Sequence, residues 1–212
     1  MTRPAREGRR ALLLGSAGAG LAALLARPRV AEAGLSTVER ELLERGRVVR
    51  RSLDVEIDGA EYLGGLGYVK LSAPAATVLA TLADPDAKHR FMPLVLDARE
   101  LGTHKGDRLV YFRQGGKVGS AAYVLRVRTQ APTQEGVTLV RFWCDLERPR
   151  DLEDAWGFFR VEPDGPRRTL LSYGVLFDLG FGVTKLLFAE KVRTFALQVP
   201  ELLGREVSRR PW

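Results

Sequence analysis

The chain has little of what metal and redox sites are built from. Its 212 residues include one cysteine, Cys144, and two histidines, His89 and His104. A lone cysteine excludes an intrachain disulfide and any cysteine-based metal site. The histidines do not fall at the i, i+4 spacing of a helical zinc pair, so no metal centre is expected. Surplus charge is scarce once it is located. The net charge is +7, but the first 33 residues hold six arginines and two acids, leaving 27 basic against 24 acidic residues in the remainder. That balance lacks the concentrated basic footprint of a phosphate binder, so no nucleic acid is expected as a partner. Phosphate loops are missing too. Gly64-Gly65-Leu66-Gly67 precedes a strand instead of opening a helix, and reads as a bend or bulge. Gly115 to Ser120 lacks the Gly-Lys-Ser/Thr ending and sits in a hairpin. No cofactor is expected.

What is present begins with an address. Arg9-Arg10 precedes an apolar run, Ala11 to Ala26, that is short for a membrane span and diluted with glycine and alanine. Ala31-Glu32-Ala33 follows as a small-x-small cleavage pattern. Arg9-Arg10-Ala11-Leu12-Leu13 resembles a twin-arginine export signal, with Gly8 where Ser or Thr is usual. Residues 1–33 are read as a cleaved export signal, which implies a periplasmic or envelope location. A second reading keeps the segment as an uncleaved N-terminal anchor.

The chain as a whole is 45% hydrophobic and 28% charged, enough apolar content for one core. Ser36 stands three residues before Glu39, a capping box that opens a short helix. A strand over Arg47–Asp58 follows, so residues 34–67 read as an N-terminal extension. Tyr68–Leu71 is a second strand. Pro74 starts a helix over Ala75–Ala83, and Asp84-Pro85 starts another through Phe91, which Pro93 closes. From Val95 onward, apolar runs are separated by short turns, which predicts an antiparallel meander ending in Thr169–Phe177. The period then changes. Leu187, Phe188, Val192, Phe195, Val199, Leu202 and Leu203 fall at three- and four-residue steps, placing an apolar stripe on one long helix. Pro200 lies inside it and predicts a kink near Gln198-Val199.

This order of elements resembles the helix-grip fold of the START-like, or SRPBCC, superfamily, which includes polyketide cyclase/dehydrase and coenzyme Q-binding proteins. The residues that carry the resemblance are Leu71 to Val78 leading to Leu82-Ala83-Asp84, then Phe91-Met92-Pro93, Trp156 to Glu162, Thr169 to Tyr173 and the final helix. It covers about residues 68–212. It implies an α+β fold in which a curved antiparallel sheet of about seven strands wraps the long C-terminal helix, with two short helices after the first strand. It also implies an apolar cavity between sheet and helix that takes a lipid, isoprenoid quinone or polyketide-like molecule.

Strand parity puts Phe112, Tyr123, Phe142, Phe159, Tyr173 and Phe177 on the more apolar face, and the helix stripe adds Phe188 and Phe195. These are the cavity candidates. Arg141 shares a face with Trp143. Turned inward, it is a cation for a polar group of the ligand; turned outward, it lies on the solvent-washed face. His89 follows the short helix that borders the entrance in this fold and is a candidate proton acceptor there. No titratable pair stands out, so catalytic residues are not assigned. Three readings stay open: a binder or carrier of a hydrophobic small molecule, a cyclase- or dehydratase-like enzyme on the same scaffold, and an envelope interaction module with a filled core. Peripheral contact of Arg205, Arg209 and Arg210 with an anionic membrane surface is a further expectation. Oligomeric state is open.

Overall fold

The structure, a computed structural model, describes residues 34–116, 119–180 and 183–210, with side chains omitted over 183–188. The export-signal reading of residues 1–33 and the Phe188 side chain fall outside the described residues. The chain forms two units, Met1–Arg40 and Glu41–Trp212. In the first, the capping box is reciprocal: Ser36 N–H donates to Glu39 Oε2 at 2.7 Å, and Glu39 N–H donates to Ser36 Oγ at 3.2 Å. It opens helix α1 (Thr37–Glu44).

The second unit is built on one sheet of eight antiparallel strands. These are β1 (Val49–Ile57), β2 (Ala60–Leu71), β3 (Val95–His104), β4 (Asp107–Gly116), β5 (Gly119–Thr129), β6 (Thr138–Cys144), β7 (Asp154–Pro163) and β8 (Thr169–Asp178). Their order across the sheet is β1-β2-β8-β7-β6-β5-β4-β3. The consecutive strands β3 to β8 form the expected meander, and β2 closes onto β8. Helices α2 (Ala75–Ala83) and α3 (Pro85–Phe91) sit between β2 and β3. Asp84 separates them and caps the second, accepting from Asp86 N–H at 2.9 Å, while Pro85 occupies the first turn where no donor is needed.

Two hairpins turn on residues in the left-handed region. Lys105 and Gly106 have φ of 50° and 82°, and Asp58 and Gly59 have φ of 53° and 75°. Each pair is a two-residue loop between paired strand ends, His104 opposite Asp107 and Ile57 opposite Ala60. Positive φ at both central residues is the turn whose twist suits a hairpin.

The glycine-rich stretch corrects an expectation. Gly64, Gly65 and Gly67 lie inside β2, with unbroken register to β1 and to β8. There is no bulge. A methyl group at Gly67 would lie 2.7 Å from Pro200 Cγ, and one at Gly65 would lie 3.0 Å from Leu197 Cδ2. The missing side chains make the floor on which the end of the chain rests. Gly67→Ala is therefore expected to push Pro200 off the strand at a cost of about 1–3 kcal/mol, read as a lower urea midpoint with unchanged slope.

The C-terminal stripe forms α4 (Val183–Ala196) and α5 (Val199–Ser208). The expected kink is present as a two-residue interruption at Leu197-Gln198. Leu197 N–H donates to Arg193 O at 3.0 Å and Gln198 N–H to Phe195 O at 3.1 Å, after which Pro200 falls in the first turn of α5. The missing donor of proline costs nothing there. Ala196, Val199, Leu203 and Val207 pack with Val69, Leu71, Leu171 and Val175 of the sheet in one buried cluster. That cluster defines the concave face, and it fixes which parity of every strand points inward.

Candidate functional site

The concave wall is aromatic. Phe112 of β4 and Tyr123 of β5 are register partners with ring centroids 5.8 Å apart. Phe159 of β7 and Tyr173 of β8 are also partners, at 4.8 Å, and Phe142 of β6 lies 5.6 Å from Phe159 and 6.4 Å from Tyr173. Rings at these separations attract one another beyond the area they bury. Gly157 makes room for the group. It stands opposite Phe142 in the register, and an added methyl would lie 2.7 Å from Phe142 Cε2.

The two wall tyrosines differ in their partners. Tyr123 donates its hydroxyl to Gln114 Oε1, and Gln114 Nε2 donates to Pro93 O at 2.9 Å. The chain of bonds runs from the interior to the segment that follows α3. Tyr173 is buried, at 3% exposed, and stacks with Phe159 and Phe142. Burial raises both phenols above their ordinary range, with the nearby Cys144 adding to the effect at Tyr123 and Tyr123 adding to it at Tyr173. Both are therefore protonated donors near neutral pH. Burial, with the charge of Asp154 adding, pushes the Cys144 thiol up to about 11. It remains a thiol and not a nucleophilic thiolate.

Of the residues singled out from sequence, Phe112, Tyr123, Phe142, Phe159 and Tyr173 come together on this wall, with Phe177 half-buried at its margin. Phe195 is half-buried on α4, next to Ala196 of the core. Arg141 is not brought to the group. Val140 and Phe142 point into the core, so Arg141 between them takes the opposite face, beside Phe158 and Arg128 in the register. Trp143 shares that face, but the guanidinium over it is that of Arg128, at 5.5 Å. His89 is exposed, because α3 buries Ala87, Lys88 and Phe91 instead.

Lys88 is the residue sequence reasoning passed over. It is 6% exposed, and its ammonium donates to Asp84 O at 3.2 Å. Burial first, and the charge of Arg108 second, lower its pKa to about 8, against the pull of Glu100 and Asp84. A seven-residue helix is too short to reveal its inner face by periodicity, so no signal marked this position. A lysine with a lowered folded pKa is bound to its proton less tightly in the native state than in the unfolded state. Stability is therefore expected to rise as pH increases from about 8 to about 10.5. Lys88→Met should flatten that rise in melting curves taken across the window.

Around Lys88 the α3 end of the concave face carries alternating charge. Arg108 Nη2 bonds Glu100 Oε2 at 2.6 Å and Ala83 O at 3.0 Å. Glu206 of α5 is 4% exposed and accepts Arg90 Nε at 2.8 Å, while Arg210 bonds Asp84 and lies 3.6 Å from Glu206. The acid on α5 thus ties that helix to α3. Of the C-terminal arginines expected at a membrane surface, Arg205 bonds Glu201 and Arg209 lies 3.9 Å from Glu206. Among the described residues no helix is long and apolar enough to cross a membrane, and no group of three or more potential ligands gathers for a metal.

No family model and no curated protein matches the chain. Solved structures do. A STAR-related lipid transfer protein from Xanthomonas axonopodis (fragment 25–204) superposes with a TM-score of 0.62 at 17% identity, over 75% of this chain and 93% of that one. Human StAR-related lipid transfer protein 5 gives 0.57 at 13% identity, over 90% and 98%. The Zhui aromatase/cyclase from a Streptomyces species gives 0.51 at 15% identity, over 76% and 96%. The architecture is the START helix-grip fold.

Proposed function

We propose that the chain binds a hydrophobic small molecule between the aromatic wall of the sheet and the C-terminal helices, and acts as a binder or carrier of that molecule outside the cytoplasm. The observation that carries this reading is the wall itself. Five aromatic side chains from five consecutive strands share the concave face, and the only polar atoms they bring are two phenols. Such a surface gains about 25 cal/mol for each Å² of ligand it takes out of water, with one or two polar groups left to fix orientation. The raised pKa values of Tyr123 and Tyr173 suit hydrogen-bond donation and not proton abstraction, which favours binding over the cyclase- or dehydratase-like alternative. The Xanthomonas and human neighbours in the structure comparison are lipid transfer proteins, which supports the class of ligand. Export rests on Arg9-Arg10 and Ala31-Glu32-Ala33 alone.

Native mass spectrometry of the protein purified from its own host, followed by organic extraction, tests the reading. An adduct that disappears on extraction is the expected result. A bare polypeptide mass, with no thermal stabilisation by a panel of lipids, quinones and ring ketones, would overturn it in favour of a filled-core interaction module.

A further inference from the structure

We infer that the Lys88 ammonium is the binding point for a carboxylate on the apolar ligand, so that the chain selects long-chain acids over neutral molecules of the same shape. The inference rests on the binding reading above and specifies its ligand. Its first support is a cation short of partners. Lys88 is 6% exposed, and its one hydrogen bond among the described residues is the 3.2 Å bond to Asp84 O. An ammonium carries three donors, and a buried charge is costly unless it is paired and hydrogen-bonded. Burial accordingly lowers its pKa to about 8, which still leaves it mostly charged at neutral pH.

The carboxylates nearby are already taken. Both oxygens of Glu100 accept from Arg108, Oε2 from Nη2 at 2.6 Å and Oε1 from Nε at 3.2 Å. Asp84 Oδ1 accepts Asp86 N–H at 2.9 Å, and its Oδ2 accepts Arg210. Lys88, Arg108 and Arg210 thus face Asp84 and Glu100 with one positive charge left over. Arg160, the other buried cation among the described residues, has its own acid in Glu162 of the same strand. Position directs what fills the gap at Lys88. It shares the buried face of α3 with Ala87 and Phe91, which belong to one core cluster with Phe112, Tyr123 and Phe159. Its neighbours Arg108 and Glu100 have the strand parity and register of Val110, a member of that cluster. The ammonium therefore stands on the concave side of the sheet and takes the role that the sequence had offered to Arg141. A molecule whose apolar body lies along the wall can bring a carboxylate to it, supplying both the missing charge and accepting oxygens.

Dodecanoate and dodecanol test this, because they share one alkyl chain and differ in the charged head. Affinities are measured at neutral pH for the full-length protein and for Lys88→Met, which keeps a long side chain and removes the charge. The wild type is expected to bind dodecanoate more tightly than dodecanol. Lys88→Met should weaken dodecanoate binding about ten- to a hundredfold, the worth of a hydrogen bond between charged groups, and leave dodecanol binding unchanged. A wild type that holds the alcohol as tightly as the acid would overturn the inference, and that result needs no variant. A variant that keeps its hold on the acid, or one that loses both probes equally, would overturn it as well. If neither probe binds but a neutral lipid of the panel does, the selection of acids fails and the binding reading survives. If nothing binds, both fail.

Discussion

Phe159→Ala is expected to lower the unfolding free energy by about 3–5 kcal/mol, the usual cost of emptying a buried phenylalanine site. The position makes the high end of that range the expected one. Phe159 touches both other rings of its cluster, at 4.8 Å to Tyr173 and 5.6 Å to Phe142. Its strand is central in the sheet, with β6 and β8 on either side, so the backbone cannot collapse to fill the space. Urea denaturation should show the loss as a shifted midpoint with unchanged slope. A double-mutant cycle with Phe142→Ala isolates the ring-to-ring contribution, expected at about 0.5–1.5 kcal/mol. Strict additivity of the two substitutions would show that the rings merely fill volume.

Glu206→Ala is expected to cost about 1.5–3 kcal/mol, the value of hydrogen bonds to a charged group. The carboxylate is nearly sealed from solvent at 4% exposure, while Arg90 opposite it is half open, so the arginine rehydrates when its partner is removed. That rehydration keeps the cost below that of breaking a fully buried pair. The distribution of the loss is the sharper result. Glu206 joins α5 to α3, so amide exchange should accelerate across Val199–Ser208 more than in β7 or β8. Glu206→Gln, which keeps an acceptor for Arg90 in the same place, should recover part of both effects. Uniform acceleration over the whole sheet would show that the residue acts on global stability alone.

Most of the sheet was legible because its signals are local. Alternation within β4 to β8 assigned the inward aromatics, and short Gly-containing turns marked the meander. The first hairpin was signalled as well, since Asp58-Gly59 is among the strongest two-residue turn signals, but Gly64 to Gly67 drew attention away from it. Glycine in a strand looks like an interruption when only its neighbours along the chain are visible. At Gly67 the reason is Pro200, which lies far away in sequence, whereas Gly64 and Gly65 stand against the backbone carbonyls of Val175 and Arg51 on the neighbouring strands. The same limit explains Trp143. Parity places Arg141 beside it on one strand, but the ring meets Arg128 because of the β5–β6 register, which no single strand encodes. Lys88 was hidden by its own residue type, as lysine is seldom buried and the helix around it is short.

The pairing of β2 with β8 has a consequence for how the protein assembles. Leu63 meets Phe177 and Leu71 meets Thr169, so the β1–β2 hairpin joins the rest of the sheet only through the last strand. On a ribosome that hairpin emerges early and then waits, with its inner edge unpaired, until nearly the whole chain has been made. Its closure spans about a hundred residues, a loop that must be ordered before any contact rewards it. The strands β3 to β8 can pair as they appear, each with the one before. Folding therefore finishes at the seam between the oldest and youngest parts of the chain, and until it does, β2 offers an open edge to other molecules.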